Sequence, residues 1–318
     1  MRNNADNLEI KAYLCPTRRQ TRFIKNRSKV QYLFIVNPIS GGRSKEAIVR
    51  MIGKYLDPSS YEVVRTEFAG HATQLAHQTK ADVVVAVGGD GTVSEVAKGL
   101  ISTGKALGII PCGSGDGLAL HLGISRHPRK ALRELVEGAP AEMDYALLDT
   151  NPFFCTAGVG LDAEVAWAFA SSGKRGLGTY ISLAWKIWRG YRPCTYTIEV
   201  DGTSITVPAV MVTVGNVNQW GNQARITSKA SACDGMLDVA VVAPFHTYEI
   251  PVLAAKLLDG RAHTSRRVRM LRGRRVVITR PNEGPAHFDG DPCREGRILH
   301  FEIVPKSLKV MVPKGHSL

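Results

Sequence analysis

Asp82-Val-Val-Val-Ala-Val-Gly-Gly-Asp-Gly-Thr-Val-Ser-Glu-Val96 is the stretch whose reading decides the fold. Val83 to Val87 read as a strand buried on both faces, because short apolar runs without alternation belong to the interior of parallel sheets. Gly88 and Gly89 break the strand, Asp90 stands at its carboxyl end, and a helix is expected from Thr92. Open parallel sheets bind ligands outside the carboxyl ends of their strands. A Gly-Gly turn lets backbone N–H groups approach a phosphate closely, and the following helix N-terminus favours anions. Asp90 suits such a place if a cation lies between its carboxylate and the phosphate. The plainer alternative is a tight strand-to-helix turn in which Asp90 is only a cap.

Two further loops have the same character. Val30–Val36 reads as a strand that runs into Asn37-Pro38-Ile39-Ser40-Gly41-Gly42-Arg43, with a helix expected from about Ser44. Ala106–Pro111 runs into Cys112-Gly113-Ser114-Gly115-Asp116-Gly117-Leu118-Ala119 and another helix. Neither loop is a Walker A sequence, and no G-x-G-x-x-G is present. Tyr61–Thr66 reads as a strand, and Gly70-His71-Ala72 opens a helix ending near Thr79. The β-α-β-α-β-α order implies a parallel sheet with right-handed crossovers. Three glycine-rich loops at strand ends of one sheet can converge on one crevice.

The chain has 318 residues, 44% hydrophobic and 22% charged, as in a globular protein long enough for two domains. Its formal net charge of +13 suggests an anionic partner: nucleotide, nucleic acid or membrane surface. The six cysteines include no C-x-x-C pair, which argues against a zinc or redox site. No signal peptide and no apolar run of about 18 residues is visible, so no membrane span is expected. Residues 1–29 carry eight Lys/Arg and two acids and read as a basic flexible arm. No nucleic-acid-binding module accompanies it, so nucleic acid is not expected as a partner.

After residue 150 the pattern changes to short β-like runs, with Asp201-Gly202 as a hairpin turn. These imply a second, antiparallel, β-sandwich-like domain. The expected division is a basic arm over 1–29, an α/β domain over 30–145 joined by about 306–318, and a β-rich domain over 146–305. Leu161–Tyr191 stands apart, with Trp167, Trp185 and Trp188 in two expected helices split by Ser171–Gly176. The second helix is apolar over most of its circumference. That fits a buried core helix, or a groove for acyl chains opening towards a bilayer, where Trp and Tyr favour the interface. Arg261–Arg280 holds eight arginines and no acid, which suits either a solvated face or an anionic lipid surface.

Asn37-Pro-x-Ser-Gly41, Gly88-Gly-Asp-Gly-Thr92 and Gly113-Ser-Gly-x-Gly-Leu-Ala119 resemble the three nucleotide loops of the diacylglycerol kinase catalytic family, which includes bacterial lipid kinases and sphingosine kinases. Gly158-Val-Gly-Leu-Asp162-Ala, Asn216, Asp234-Gly-Met-Leu-Asp238 and Asp289-Gly-Asp291 extend the resemblance from about residue 30 onwards. It implies an ATP-dependent kinase acting on a lipid hydroxyl, diacylglycerol or sphingoid base. Asn37, Pro38, Ile39, Ser40, Gly41, Thr66, Gly88, Gly89, Asp90, Gly91, Thr92, Val93, Ser94, Glu95, Gly113, Ser114 and Gly115 would hold ATP. Asp90 and Asp144 would order Mg²⁺ and its waters near the phosphates, and Ser231, Asp234 and Met236 match a second, structural Mg²⁺ site. Asp291 falls where the family has its proton acceptor, with Asp289 and then Asp90 as the other candidates. Asp162 lies in a segment similar to one where sphingosine kinases have an acid that reads the amino group and where bacterial diacylglycerol kinases can also carry an acid; it would face the lipid headgroup or else cap the helix beginning at Ala163. Three departures stand out: Asp116 replaces Asn, Asp291 replaces Glu, and Thr227-Ser228 replaces Ala-Pro. A soluble NAD-kinase-like enzyme and a catalytically silent binding protein are the alternatives. The partners implied are a lipid substrate and an anionic membrane surface at the cytoplasmic side of the inner membrane. A homodimer stays open.

Overall fold

The computed structural model describes residues 30–40, 45–173 and 176–316. The expected basic arm over 1–29, and Gly41 of the first loop, lie outside the described residues. Strands β1 (Tyr32–Val36), β2 (Tyr61–Arg65), β3 (Val83–Gly88) and β4 (Ala106–Pro111) form a parallel sheet in the order β2-β1-β3-β4. β1, β3 and β4 are buried along their whole length, whereas β2, at the edge, is half-buried or exposed. Alternate residues serve opposite faces, as strand geometry requires. Leu33 and Ile35 pack with α2 (His71–Gln78) and α3 (Asp90–Leu100) through Ala72, Ala76, Val96 and Ala97. Phe34 and Val36 pack with α1 (Lys45–Tyr55) and, after the short α4 (Gly117–His121), with α5 (Pro128–Glu137) through Ile48, Ile52, Leu132 and Leu135.

The same sheet runs on into the β-rich half. β5 (Ala139–Leu148) pairs with β6 (Asn151–Phe153) and with the 15-residue β16 (Ile298–Val312). β16 lies parallel to β4 at Lys309 and Val310, and its first half lies antiparallel to β13 (Arg275–Thr279). A register shift between Val304 and Leu308, where Lys306 has φ 49°, bends it between the two roles. Beyond β13 come β8 (Cys194–Val200) and β9 (Thr203–Ala209), joined by the Asp201-Gly202 turn. A second, antiparallel sheet has the order β12 (Val268–Gly273), β11 (Leu237–Val242), β10 (Met211–Gly215), β7 (Thr156–Gly160), β14 (Gly284–Phe288), β15 (Asp291–Glu295). Phe153, Val159, Ile198, Val214, Val239, Ile278 and Phe301 fill the space between the sheets. The expected fold class, a parallel α/β sheet followed by an antiparallel sandwich, is therefore the one observed.

Details depart from the sequence reading. The central helix starts at Asp90, two residues early, because Gly89 is the last extended residue. The piece after β7 forms α6 (Leu161–Ser171) and α7 (Leu177–Trp188), so the helix starts before Ala163 and Asp162 lies inside its first turn rather than at its cap. α8 (Ile250–Leu258) has no counterpart in the sequence reading.

Candidate active site

The three glycine loops meet. Asn37 Nδ2 donates to Thr92 Oγ1 at 3.0 Å, tying the first loop to the second. Asp90 ties the second to the third: its Oδ2 accepts from Asp116 N at 2.9 Å and its Oδ1 from Gly117 N at 2.7 Å. A Cβ on Gly113 would come within 2.8 Å of Gly89 Cα, so this approach requires glycine. Asp116 adopts φ 51°, accepts from Gly113 N at 2.8 Å, and pairs with Arg126 Nε at 3.2 Å. Burial pushes the Asp116 carboxyl up from its ordinary value, the Asp90 charge adds to this, and the Gly113 N–H and Arg126 work against it. Arg126 also donates to the Ser114 carbonyl at 2.9 Å, so the acid that departs from the family pattern is held by a cation the sequence reading passed over.

A cleft of about 490 Å³ opens beside these loops. Asp90, Val93, Ser94, Ser114, Gly115 and Gly117 line one end. Ala166, Phe169, Tyr180, Ile181, Trp220 and Leu258 line the other. Asp289 sits at the seam. Asp289 and Gly290, with φ 52° and 85°, are the two turn residues between β14 and β15. The Asp289 carboxylate accepts from Cys155 N at 2.7 Å, Phe154 N at 2.9 Å and Thr156 N at 3.2 Å, and Ser94 Oγ lies 3.5 Å away. Loss of hydration raises its pKa to about 6, against the three N–H donors and the Lys98 charge, which lower it. Burial, aided by the Asp289 and Asp90 charges, holds the Cys155 thiol protonated.

Asp162 and His287 form the polar floor of the apolar end. Thr213, Gly158 and His287 are cross-strand neighbours on β10, β7 and β14. The missing side chain of Gly158 leaves room for the Asp162 carboxylate, whose Oδ2 would lie 3.1 Å from a Cβ there. That oxygen accepts from Thr213 Oγ1 at 2.9 Å and His287 Nε2 at 3.1 Å, while Oδ1 accepts from Ala163 N at 2.9 Å.

The two halves of the chain match two known domains. Residues 31–148 match the diacylglycerol kinase catalytic domain, and residues 155–312 match the YegS C-terminal NAD kinase beta sandwich-like domain. The chain belongs to the diacylglycerol kinase catalytic-domain family. A probable lipid kinase YegS-like from Chromohalobacter salexigens is 27% identical over 278 residues, 84% of this chain and 89% of that protein. A diacylglycerol kinase from Bacillus subtilis is 27% identical over 293 residues, 88% of this chain and 95% of that one. The crystal structure of a putative diacylglycerol kinase from Bacillus anthracis superposes with TM-score 0.74 at 22% identity, covering 89% of this chain and 97% of that one. An NAD kinase from Archaeoglobus fulgidus in complex with ATP shares the fold more loosely, at TM-score 0.53 and 12% identity, covering 89% and 94%.

Within this lipid kinase fold the other expected site residues are dispersed. Thr66 follows β2, with its N–H on the Val36 carbonyl, and is not among the cleft-lining residues. Ile39 is exposed, and the Glu95 carbonyl accepts from Thr73 Oγ1 at 2.9 Å. Asp291 is the exposed first residue of β15, outside the cleft lining. Asp144 is fully buried away from the cleft, and its two oxygens accept from Gly235 N and Lys306 N, both at 2.7 Å. It clamps the loop before β11 to the bend in β16. Among the described residues no group of three or more His, Cys, Asp or Glu could hold a metal ion. Magnesium commonly takes one or two carboxylates and completes its shell with phosphate oxygens and water. Asp90, facing the cleft, fits that pattern. At Ser231, Asp234 and Met236, which the resemblance matches to a second Mg²⁺ site held partly through backbone carbonyls, the Asp234 carboxylate is paired with the Arg272 guanidinium and accepts from Met236 N at 3.0 Å.

Half of the arginine run is paired with acids. Arg261 pairs with Asp259, Arg267 with Glu249, Arg272 with Asp234 and Asp238, and Arg275 with Glu302. Arg280 is buried and donates to the carbonyls of Gly284, Pro285, Glu295 and Gly296.

Proposed function

We propose that this lipid kinase transfers the γ-phosphoryl group of ATP to the hydroxyl of a lipid, diacylglycerol or a sphingoid base. One observation carries the reading. A single cleft has phosphate-type glycine loops at one end and an apolar wall at the other, with the half-buried Asp289 carboxylate between them. ATP lies along the loops with its phosphates towards Ser94 and Ser114, and the acyl chains lie along Phe169, Tyr180 and Ile181. A Mg²⁺ ion carried in with ATP would be held by Asp90 and would offset the charge of the phosphates.

The lipid hydroxyl oxygen attacks the γ-phosphorus, the bond to the bridging oxygen breaks, ADP leaves, and the hydroxyl proton passes to Asp289. We assign the base to Asp289 rather than Asp291 because the former lines the cleft and has a pKa near working pH, the range in which a general base is most effective. Most of the rate arises from positioning and charge neutralisation, as in phosphoryl transfer generally. Incubation with labelled ATP and diacylglycerol, sphingosine, ceramide or NAD tests the proposal. Label in diacylglycerol or sphingosine supports it. Label in NAD alone, or in nothing, overturns it.

A further inference from the structure

α7 and α8 carry their apolar side chains on the wrong side for folding. A helix on the surface of a globular protein turns an apolar stripe inwards and polar residues outwards. In α8 no residue is buried, and its exposed positions are Pro251, Val252, Ala254, Ala255 and Leu258. Its one charged residue, Lys256, is half-buried and donates to the Thr264 carbonyl. Tyr248, just before it, is 77% exposed. None of residues 178–188 of α7 is buried either, and Ile181 and Trp185 stand outwards with 58% and 50% exposure.

The two helices flank the cleft. The end of α7 meets the approach to α8: Trp188 stacks on Phe245 with ring centroids 4.6 Å apart, and its Nε1 donates to Thr247 Oγ1 at 3.2 Å. Further along, Ile181 and Leu258 both line the cleft and are both exposed, so the apolar wall of the cleft passes onto the outer surface without interruption. The charge around this face is of one sign. From Leu177 to Arg192 the chain has Lys186, Arg189 and Arg192 and no acid. The acids next to α8, Glu249 and Asp259, are taken up by Arg267 and Arg261.

We propose that the outward faces of α7 and α8, with Tyr248, form a docking surface for an anionic phospholipid bilayer, and that they insert at the boundary between headgroups and acyl chains. Apolar residues at the centre and basic residues at the rim are the combination that holds a helix in that boundary. The cleft then opens into the acyl layer, and a lipid passes from bilayer to active site along a continuous apolar wall. Electrostatic attraction by the Arg261–Arg280 run is secondary, because half of its arginines are paired with acids and Arg280 is buried. This inference rests on the lipid-kinase reading, since it gives the acyl end of the cleft its source of substrate.

The test uses the full chain, with vesicles of phosphatidylcholine containing phosphatidylglycerol. Phosphatidylcholine brominated on its acyl chains should quench tryptophan emission in the wild type, and the quenched fraction should fall in Trp185→Phe. A Trp185→Gln/Tyr248→Gln/Val252→Gln variant should bind the vesicles at least ~10-fold more weakly, the scale expected when large apolar side chains no longer leave water. Its melting temperature and its rate on a short-chain diacylglycerol dissolved below its micellar limit should be unchanged, because none of the three residues lines the cleft or is buried. Absence of quenching, or equal vesicle binding by the variant, overturns the docking surface. A wild-type dimer in solution that the variant dissolves, without bromine quenching, overturns it in favour of contact between two copies. If the wild type phosphorylates neither the short-chain diacylglycerol nor sphingosine while bromine quenching and the loss in the variant both hold, the docking surface stands and the kinase reading fails.

Discussion

The two ends of the cleft are built by different means. At the nucleotide end, backbone amides and short loops do the work: Asp90 accepts two N–H groups from the third loop, and Asn37 reaches Thr92. At the lipid end, side chains of strands and helices far apart in sequence do it: Asp162 is held by Thr213 and His287, and Ile181 meets Leu258 in one wall. A backbone-built site depends on few side chains, so substitutions there should change chemistry more than shape. A side-chain-built site should respond in stability and in lipid handling together.

Asp289, at the junction, is expected to give the largest effect. Asp289→Asn should lower turnover by roughly 10²- to 10⁴-fold, the usual contribution of a positioned base, with ATP affinity little changed in a fluorescent-nucleotide titration. Asp291→Asn should stay within about 10-fold of wild type on the same scale. The reverse ranking in kcat would move the base to β15 and detach the chemistry from the seam of the cleft.

The second effect concerns stability at the lipid end. Asp162→Ala leaves buried Thr213 and His287 without their acceptor, and such a loss in a buried network costs roughly 3–5 kcal/mol. Chemical denaturation measures it. With its carboxylate already accepting from Thr213, His287 and Ala163, Asp162 acts on substrate by positioning the floor of the cleft. Activity should therefore fall alike on diacylglycerol and sphingosine. A selective loss on sphingosine would restore direct reading of the amine.

The pH dependence of Asp289 gives a third, smaller effect. Its folded pKa of about 6 lies above the ordinary 3.8, so the folded state favours the protonated carboxyl. The stability it contributes is complete below the ordinary value and is lost as pH rises through about 6. Activity has the opposite sign, since the base must be ionised, and should decline as pH falls below about 6. Melting curves and kcat across that window should move in opposite directions; parallel movement would assign the acid limb to another group.

The smallest effect belongs to the arginines. Replacing exposed Arg266 and Arg274 by Gln should weaken vesicle binding by at most about 1 kcal/mol each, and salt should remove the difference. A larger loss than that of the α7 and α8 variant would invert the proposed order of apolar and electrostatic docking.

The nucleotide end was legible in the sequence because its requirements are local. Buried strands of Val83–Val87 type and glycines at their ends announce both the sheet and the loops within a dozen residues. Asp289 stood out only through the Asp289-Gly-Asp291 motif, which ranked it behind Asp291, and Lys98, Arg126 and His287 gave no such signal, since each meets its partners through the fold rather than along the chain. The arginine run looked unopposed for the same reason: Asp234, Asp238 and Glu302 lie outside the window in which charge was counted. α5 and α8 show the limit most clearly. Both have proline in the first turn, but α5 buries Ala131, Leu132, Leu135 and Val136 and shows Arg129, Lys130 and Arg133 to solvent, so its pattern announces a helix. α8 has no polar side to contrast with its apolar one, and periodicity has nothing to detect.

β16 has a consequence for the order in which the protein can be made. The free edge of β4 at Ala106 and Leu107 receives its neighbour only when Lys309 and Val310 arrive, after the whole β-rich half has been synthesised. Until then a nascent chain leaving the ribosome presents an apolar strand with unpaired N–H and C=O groups, the kind of edge that invites pairing with another chain. The first half is thus a translational intermediate in need of protection, by a chaperone or by its own α5, and a pause in elongation between residues 112 and 309 would expose it longest.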